Sequence, residues 1–326
     1  MGKQVLFILS LFLAINLHAE NKFVIEGRVA NVPDGLIVEL LRNEDNVGML
    51  VASDTLRNGK FRFEEDTSGN GTDWMFLTAR TENYYSMILY LWVRPGSSIK
   101  ISADNLLVYT WNVESDVPEQ QTRSKILASS RDLWNEYQIL DGDYDSLRSR
   151  IKSGKYSGEE KKRQKARLDS MKQVKNMLQD RISAVELEAM AKLDVDQAWM
   201  LNYVNTAYMV NISKNKDNLE KAKALYAYIP DVWRDSFSGR EAKNVLFPQH
   251  VVEVGEEAAD ADLYDIDGKL WHLSDFRGRY VLIEFWSRGC GPCKMAIPEI
   301  KEAADKYKDR LVAGGILVEN EKGGGG

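Results

Sequence analysis

Cysteine is scarce in this sequence, with two residues among 326, Cys290 and Cys293, three positions apart. A set of structural disulfides that staples the whole fold is therefore excluded, and the pair is either a local bridge or a working dithiol. A surplus of positive charge is also lacking, because the formal net charge is −6. That balance offers no attraction to phosphate groups, which argues against nucleic acid as a partner.

The apolar run at the N-terminus is short. It covers Val5–Leu17, thirteen residues, which is too few to span a bilayer comfortably. Lys3 precedes it and the small residue Ala19 follows it, which is the pattern of a cleaved signal peptide rather than of a buried core segment. We therefore expect a signal peptide over 1–19, a mature chain that starts near Glu20, and export to the periplasm or cell envelope.

The length of the chain suits more than one domain, because a single hydrophobic core stops growing near ~250 residues. Hydrophobic residues at 44% and eight tryptophans argue against disorder. The stretch 20–115 consists of short β-rich runs separated by turns, of which Asn58-Gly59 is the strongest hairpin signal. The runs are Phe23–Val29, Leu36–Leu41, Lys60–Phe63, Trp74–Ala79, Met87–Val93 and Ile99–Ser102. We predict an antiparallel β-sandwich here, with a binding or spacer role.

The stretch 116–247 has a helical composition, rich in Lys, Glu, Ala, Leu and Met and poor in Gly and Pro. Apolar residues recur every three or four positions and draw one stripe along a long helix. The stripe consists of Leu168, Met171, Val174, Leu178, Ile182, Val185 and Ala189. We predict a helical middle region between the β-rich domain and a C-terminal domain over 248–326.

The C-terminal stretch has the pattern of an α/β domain. Leu263–Ile266 and Leu270–Leu273 flank an Asp267-Gly268 turn and predict a small hairpin. The run Val281–Trp286 is almost continuously apolar, which is typical of a strand buried on both faces of a sheet.

The two cysteines follow this strand as Cys290-Gly291-Pro292-Cys293, where Pro292 favours the first turn of a helix. A helix N-terminus stabilises a thiolate, so we predict Cys290 as the attacking thiol and Cys293 as the resolving thiol. An inert bridge and half of a zinc site are the alternatives. Zinc would need further ligands, and the mature chain offers only His250 and His272 without finger-like spacing, so we expect no metal and no cofactor. A peroxidase would need a reactive cysteine outside this motif, and none exists.

Glu284 is the one ionisable residue within the apolar run Val281–Trp286. A carboxyl group buried there should have a raised pKa and could act through water as the general base for Cys293. The alternative is a solvated carboxylate on an open face.

The stretch Tyr280–Tyr307 resembles thioredoxin-like proteins. The matching features are the acid at Glu284, Phe285-Trp286, the dithiol, Lys294 and the helix-kinking Pro298. The lead-in before it looks more like the extracytoplasmic TlpA/ResA-like branch, which is related to the redoxin and thiol-specific-antioxidant group. The β-rich part is similar to a domain of unknown function that precedes such modules in Bacteroidetes-type envelope proteins.

This resemblance implies an exported thiol–disulfide oxidoreductase. Its partners would be disulfide-bonded or thiol-bearing envelope proteins, including those in steps of cytochrome c maturation, with a membrane protein as electron donor. The inner residues Gly291-Pro292 are those of reducing members of the family, so the resemblance favours reduction over oxidation.

Two departures from the family pattern shape a second hypothesis. Gly289 stands where the family commonly has a tryptophan, and only 33 residues follow Cys293, with no proline after Pro298 to form a cis-proline loop. We therefore expect an incomplete, C-terminally truncated thioredoxin-like module. The alternative function is a non-enzymatic envelope binding protein that carries an inactive module.

Overall fold

The computed structural model describes residues 21–44, 47–82, 84–248, 252–287 and 290–317. The predicted signal peptide, His250, Gly289 and the glycine-rich end lie outside the described residues. The chain divides into two compact units. Unit 1 holds the described residues within Met1–Asn43 and Gly48–Phe247, and unit 2 holds those within Glu44–Val47 and Pro248–Gly326.

Unit 1 begins with nine strands in two sheets. The strands are β1 (Lys22–Val29), β2 (Ile37–Glu44), β3 (Val47–Thr55), β4 (Lys60–Asp66), β5 (Asp73–Thr81), β6 (Tyr84–Tyr85), β7 (Leu89–Val93), β8 (Ser98–Ala103) and β9 (Asn112–Ser115). One sheet has the order β4-β1-β8-β9. The other has the order β3-β2-β5-β6, and β7 also pairs with β5. The β-rich region is thus confirmed, while β3, β6 and β9 were not predicted.

One hydrophobic cluster takes side chains from both sheets. Ile25 of the first sheet and Leu40 and Leu77 of the second are fully buried in it. Each such side chain contributes about 1.5–3 kcal/mol through removal from water. The strands β1 and β8 run parallel, with Ile25 opposite Ile99. The prediction of a purely antiparallel arrangement is therefore wrong at this pair, because a long intervening chain allows β8 to return in the direction of β1.

The predicted hairpin turn at Asn58-Gly59 connects β3 to β4. Both residues have positive φ, at 51° and 67°, which is the conformation that favours this pair in tight turns. A Cβ atom on Gly59 would lie 2.6 Å from the carbonyl oxygen of Val29. Glycine is therefore required here both by conformation and by space.

Six helices complete unit 1 and confirm the helical middle region. They are α1 (Pro118–Lys152), α2 (Gly158–Met190), α3 (Gln197–Ser213), α4 (Lys216–Tyr226), α5 (Asp231–Arg234) and α6 (Phe237–Leu246). The predicted stripe on α2 is buried at Leu178 and Ile182 but exposed at Val174. Helix α1 packs on β7 and β9, so the helices and the β-rich part share one unit, and separate domains on either side of 115 stay a prediction.

None of the helices in the described ranges is long and apolar enough to cross a membrane.

Unit 2 contains a hairpin and a β-α-β element. The strands β10 (Asp262–Tyr264) and β11 (Leu270–His272) are antiparallel and confirm the predicted hairpin. The strands β12 (Tyr280–Trp286) and β13 (Leu311–Leu317) are parallel, and helix α7 (Gly291–Lys306) connects them and packs on β13. A parallel pair needs such a crossover connection.

The strand β12 is not buried on both faces as the sequence pattern predicted. Val281 and Leu282 are partly exposed, and Phe285 is 65% exposed. The physical reason is that β12 pairs with β13 alone among the described strands, so its other edge and much of its surface lie open. An apolar run indicates that a strand tends to be buried, but it does not determine which elements pack against that strand.

Candidate functional site

The carboxyl end of β12 delivers the two cysteines to the start of α7. The strand ends at Trp286, and the backbone N–H of Cys290 donates to the carbonyl oxygen of Ser287 at 3.1 Å. Cys290 is the N-cap of α7, and Pro292 lies in its first turn, where a missing N–H leaves no hydrogen bond unmade. The helix therefore begins at the dithiol, as its sequence predicts.

Cys290 and Cys293 are joined by a disulfide, with their Cα atoms 5.3 Å apart. The Sγ atom of Cys290 also accepts a hydrogen bond from the backbone N–H of Cys293 at 3.2 Å. Both side chains are half-buried. An N–H group directed at a sulfur, together with the positive end of the helix dipole, stabilises negative charge on that sulfur once the disulfide is reduced.

Glu284 lies on β12, in register with Gly315 of β13. Its side chain is half-buried, rather than enclosed as the apolar run around it predicted. Within the part of the chain that the structure describes, no hydrogen bond or ion pair joins Glu284 to either cysteine. The structure thus brings the two cysteines together and leaves Glu284 on the strand that precedes them.

His272 ends β11, as predicted for a strand residue. Its Nε2 atom lies 3.0 Å from Asp262 Oδ1 across the hairpin, and its backbone N–H donates to Asp275 Oδ2 at 2.8 Å. Sequence inspection missed both carboxylates, although Asp275 at i+3 follows a known helix-capping spacing. Among the described residues, no group of three or more His, Cys, Asp and Glu side chains is arranged to hold a metal ion.

Sequence inspection also missed two exposed apolar side chains close to the dithiol in sequence. Met295, two residues after Cys293, is 80% exposed, and Ile297 is also exposed. The sequence could have indicated this exposure, because the apolar residues of α7 are too many to lie on the single helix face that packs on β13.

Comparisons with known proteins place the redox features in a family context. Residues 254–322, which contain both cysteines, match the family described as the AhpC/TSA family. The chain is 38% identical over 61 residues to the thiol-disulfide oxidoreductase ResA of Bacillus thuringiensis subsp. konkukian, a match that covers 19% of this chain and 35% of that protein.

Two further relatives match similar shares of the chain. The thioredoxin-like protein YneN of Bacillus subtilis is 32% identical over 60 residues, covering 18% of this chain and 35% of YneN. ResA of Geobacillus kaustophilus is 37% identical over 77 residues, covering 24% of this chain and 43% of that protein. The chain therefore spans well under half the length of these curated relatives. No solved structure matches it.

Proposed function

We propose that this chain is an exported thiol–disulfide oxidoreductase that reduces or exchanges disulfides in proteins of the cell envelope. The observation that carries the proposal is the Cys290–Cys293 disulfide at the first turn of α7. Relatives named thiol-disulfide oxidoreductase and the AhpC/TSA match over 254–322 support it. No metal or cofactor is needed, because two thiols carry both electrons.

The reaction begins with the reduced dithiol. The Cys290 thiolate attacks one sulfur of a target disulfide, which forms a mixed disulfide and releases the first target thiolate. Cys293 then loses its proton and attacks the Sγ atom of Cys290, which releases the second target thiolate. Two electrons have passed to the target, and the product is the Cys290–Cys293 bridge. We propose that a membrane protein with its own dithiol reduces this bridge again.

Glu284 is the proposed proton acceptor for Cys293. It lies six residues before Cys290 on the strand that leads to the helix, and a carboxylate acting through one water can remove the proton of the resolving thiol. Glu284→Gln should then slow the resolution of the mixed disulfide and change its pH profile. The alkylation rate of Cys290, which does not need this proton transfer, should stay the same.

The partners in this proposal are disulfide-bonded or thiol-bearing envelope proteins. The exposed Ile297, one helical turn after Cys293, offers apolar contact to an extended target chain close to the dithiol. Export depends on the apolar segment before Glu20. The β-rich part of unit 1 would act as a binding or spacer domain.

A trapping experiment tests the roles of the two cysteines. With Cys293→Ser, attack by Cys290 on an insulin disulfide should stop at the mixed disulfide, which appears as a covalent adduct that dithiothreitol removes. The matched variant Cys290→Ser should give no such adduct, because Cys293 is the resolving thiol.

Two results would overturn the proposal. Equal trapping by both variants would remove the assigned roles, and the absence of trapping and of insulin reduction would favour a non-enzymatic envelope binding protein with an inactive module. Mass spectrometry of the adduct identifies the bonded cysteine in either case.

A further inference from the structure

Unit 1 contains a cavity of about 320 Å³ that the dithiol chemistry does not use. Strand β7, helices α1, α2 and α3 and the connecting segments at Met87 and Tyr109 line it, and its polar lining includes Arg123, Glu186 and Asn202. Volumes of this size, with mostly apolar walls and a few convergent polar groups, are typical of sites for small molecules.

Arg123 places a positive charge in this cavity. Its side chain is 3% exposed, and Nη1 donates to Asn202 Oδ1 at 2.7 Å. The guanidinium carbon lies 5.8 Å from the ring centre of Tyr90 and 5.2 Å from that of Tyr109. A buried cation is costly unless an anion compensates it, and an amide oxygen and two aromatic rings compensate it only in part.

The neighbouring groups compensate this charge without a direct salt bridge. Burial raises the pKa of Tyr109 to about 12, so its phenol is neutral near pH 7. Among the described residues, no carboxylate forms an ion pair with Arg123, and Glu186 acts on it through space. The guanidinium at the cavity wall is therefore stabilised by Tyr109 and, through space, by Glu186, without a carboxylate in salt-bridge contact among the described residues.

Glu186 is bound to other donors. Its Oε1 atom accepts hydrogen bonds from Ser130 Oγ and Trp134 Nε1, both at 2.7 Å. Burial raises the pKa of Glu186, while Arg123 and these two donors lower it. The pKa of Arg123 lies above its ordinary value, since Tyr109 and Glu186 together outweigh its desolvation.

The remaining walls suit a flat apolar body. Tyr90, Tyr109, Trp134 and Tyr137 present aromatic rings, and Met87 and Met209 add flexible apolar contacts. The cavity reaches the surface beside Asn205 and Met209, which are both exposed. A ligand can therefore enter from solvent past these two side chains of α3.

We propose that this cavity binds a small organic carboxylate with a flat apolar body. The carboxylate pairs with the guanidinium of Arg123, whose planar set of N–H donors matches two carboxylate oxygens. The aromatic side chains enclose the body. The site is independent of the dithiol and adds a binding function to unit 1.

Calorimetric titration of the full chain at pH 7 tests the proposal with benzoate, phenylacetate and indole-3-acetate as probes. At least one should bind saturably, and its uncharged amide, such as phenylacetamide for phenylacetate, should bind at least tenfold more weakly. Arg123→Gln should reduce carboxylate affinity to that of the amide.

A second variant keeps the test valid if Arg123→Gln does not fold. Asn205→Trp places a large ring at the exposed mouth and should weaken binding at least tenfold. Ile212→Trp on the same helix is the matched control, since Ile212 is 70% exposed and does not line the cavity, and it should bind as the parent chain does. The proposal is overturned if no probe binds, if acid and amide bind equally, or if Asn205→Trp binds normally.

Discussion

The two units differ in where their apolar side chains lie. Unit 1 encloses a large core, with Leu77, Trp111 and Trp199 among its fully buried residues. Unit 2 has no buried residue in the parts that the structure describes, and apolar side chains such as Phe285 and Met295 face outward. The first unit is held by contacts between distant segments, and the second by a hairpin, a parallel strand pair and a short disulfide loop.

The dithiol and the cavity therefore depend on structure of different range: the dithiol on residues close in sequence, and the cavity on residues far apart in sequence. The dithiol needs a strand end, a turn and the first turn of a helix, all within a dozen residues. The cavity needs a strand, three helices and two connecting segments brought together from across unit 1. Chemistry that depends on local structure should therefore survive changes that abolish binding in the cavity.

The largest effect should come from the dithiol. Cys290→Ser is expected to reduce the rate of insulin disulfide reduction to that of the buffer with reductant alone, because the attacking sulfur is lost. Thermal unfolding followed by helix ellipticity should be unchanged, since six of the seven helices in the described ranges lie in unit 1. Ser287→Ala, in the same turn, serves as the control. Residual turnover in Cys290→Ser would show that Cys293 can attack by itself.

Truncation of a buried side chain in unit 1 and of an exposed one in unit 2 should change the free energy of unfolding by different amounts. Leu77→Ala is expected to cost about 2–5 kcal/mol in the free energy of unfolding, because Leu77 is fully buried. Phe285→Ala should change the free energy by less than about 0.5 kcal/mol, because that side chain faces solvent. Urea denaturation followed by ellipticity and by tryptophan fluorescence measures both. A loss of about 2–5 kcal/mol in Phe285→Ala as well would mean that Phe285 is buried against other residues, contrary to its exposure in the structure.

A smaller effect is expected at a helix cap in unit 1. Asp196 Oδ1 accepts from the backbone N–H of Trp199 at 2.7 Å, and Oδ2 accepts from Thr122 Oγ1 at 2.6 Å. Asp196→Ala should therefore lower the free energy of unfolding by about 1–2 kcal/mol in urea denaturation. Asp194→Ala, an exposed neighbour, should have almost no effect. Equal losses in both variants would exclude the cap as the cause.

The smallest effect should be a dependence on pH from Glu186. Burial raises its folded-state pKa above the ordinary value of 4.5, so the folded chain holds this proton more tightly than the unfolded chain. Its contribution to stability is therefore full below pH 4.5 and is lost as the pH rises through the raised pKa. Glu186→Gln keeps an oxygen acceptor for Trp134 and should flatten this decline when urea denaturation is repeated across that range. If the free energy of unfolding of Glu186→Gln declined with pH as steeply as that of the parent chain, the assignment of this decline to Glu186 would be wrong.

The features that the sequence predicted correctly are local. The start of α7, the hairpin of β10 and β11 and the turn at Asn58-Gly59 each depend on residues within a few positions of one another. Proline at a helix start and Asn-Gly in a tight turn act through backbone geometry, which the neighbouring residues decide. The dithiol belongs to this class, and its position at the helix N-cap could therefore be predicted.

The features that were missed depend on distant partners. Arg123 bonds to Asn202 across 79 positions, and Ser130 bonds to Glu186 across 56. Each of these residues, alone in its helix, resembles an ordinary polar residue on a solvated face. Burial of β12 was predicted from its apolar run, but the run does not determine which elements cover it. Packing between elements decides both outcomes.

The most direct test of the central claim is the titration of the reduced dithiol. The alkylation rate of Cys290 with iodoacetamide is measured against pH in the full chain, with Cys293→Ser and Cys290→Ser to assign each thiol. We predict that Cys290 reacts as a thiolate well below the ordinary thiol pKa of ~8.5, because it caps α7, while Cys293 titrates higher. Two thiols that both titrate near ~8.5 with equal reactivity would contradict a working redox pair.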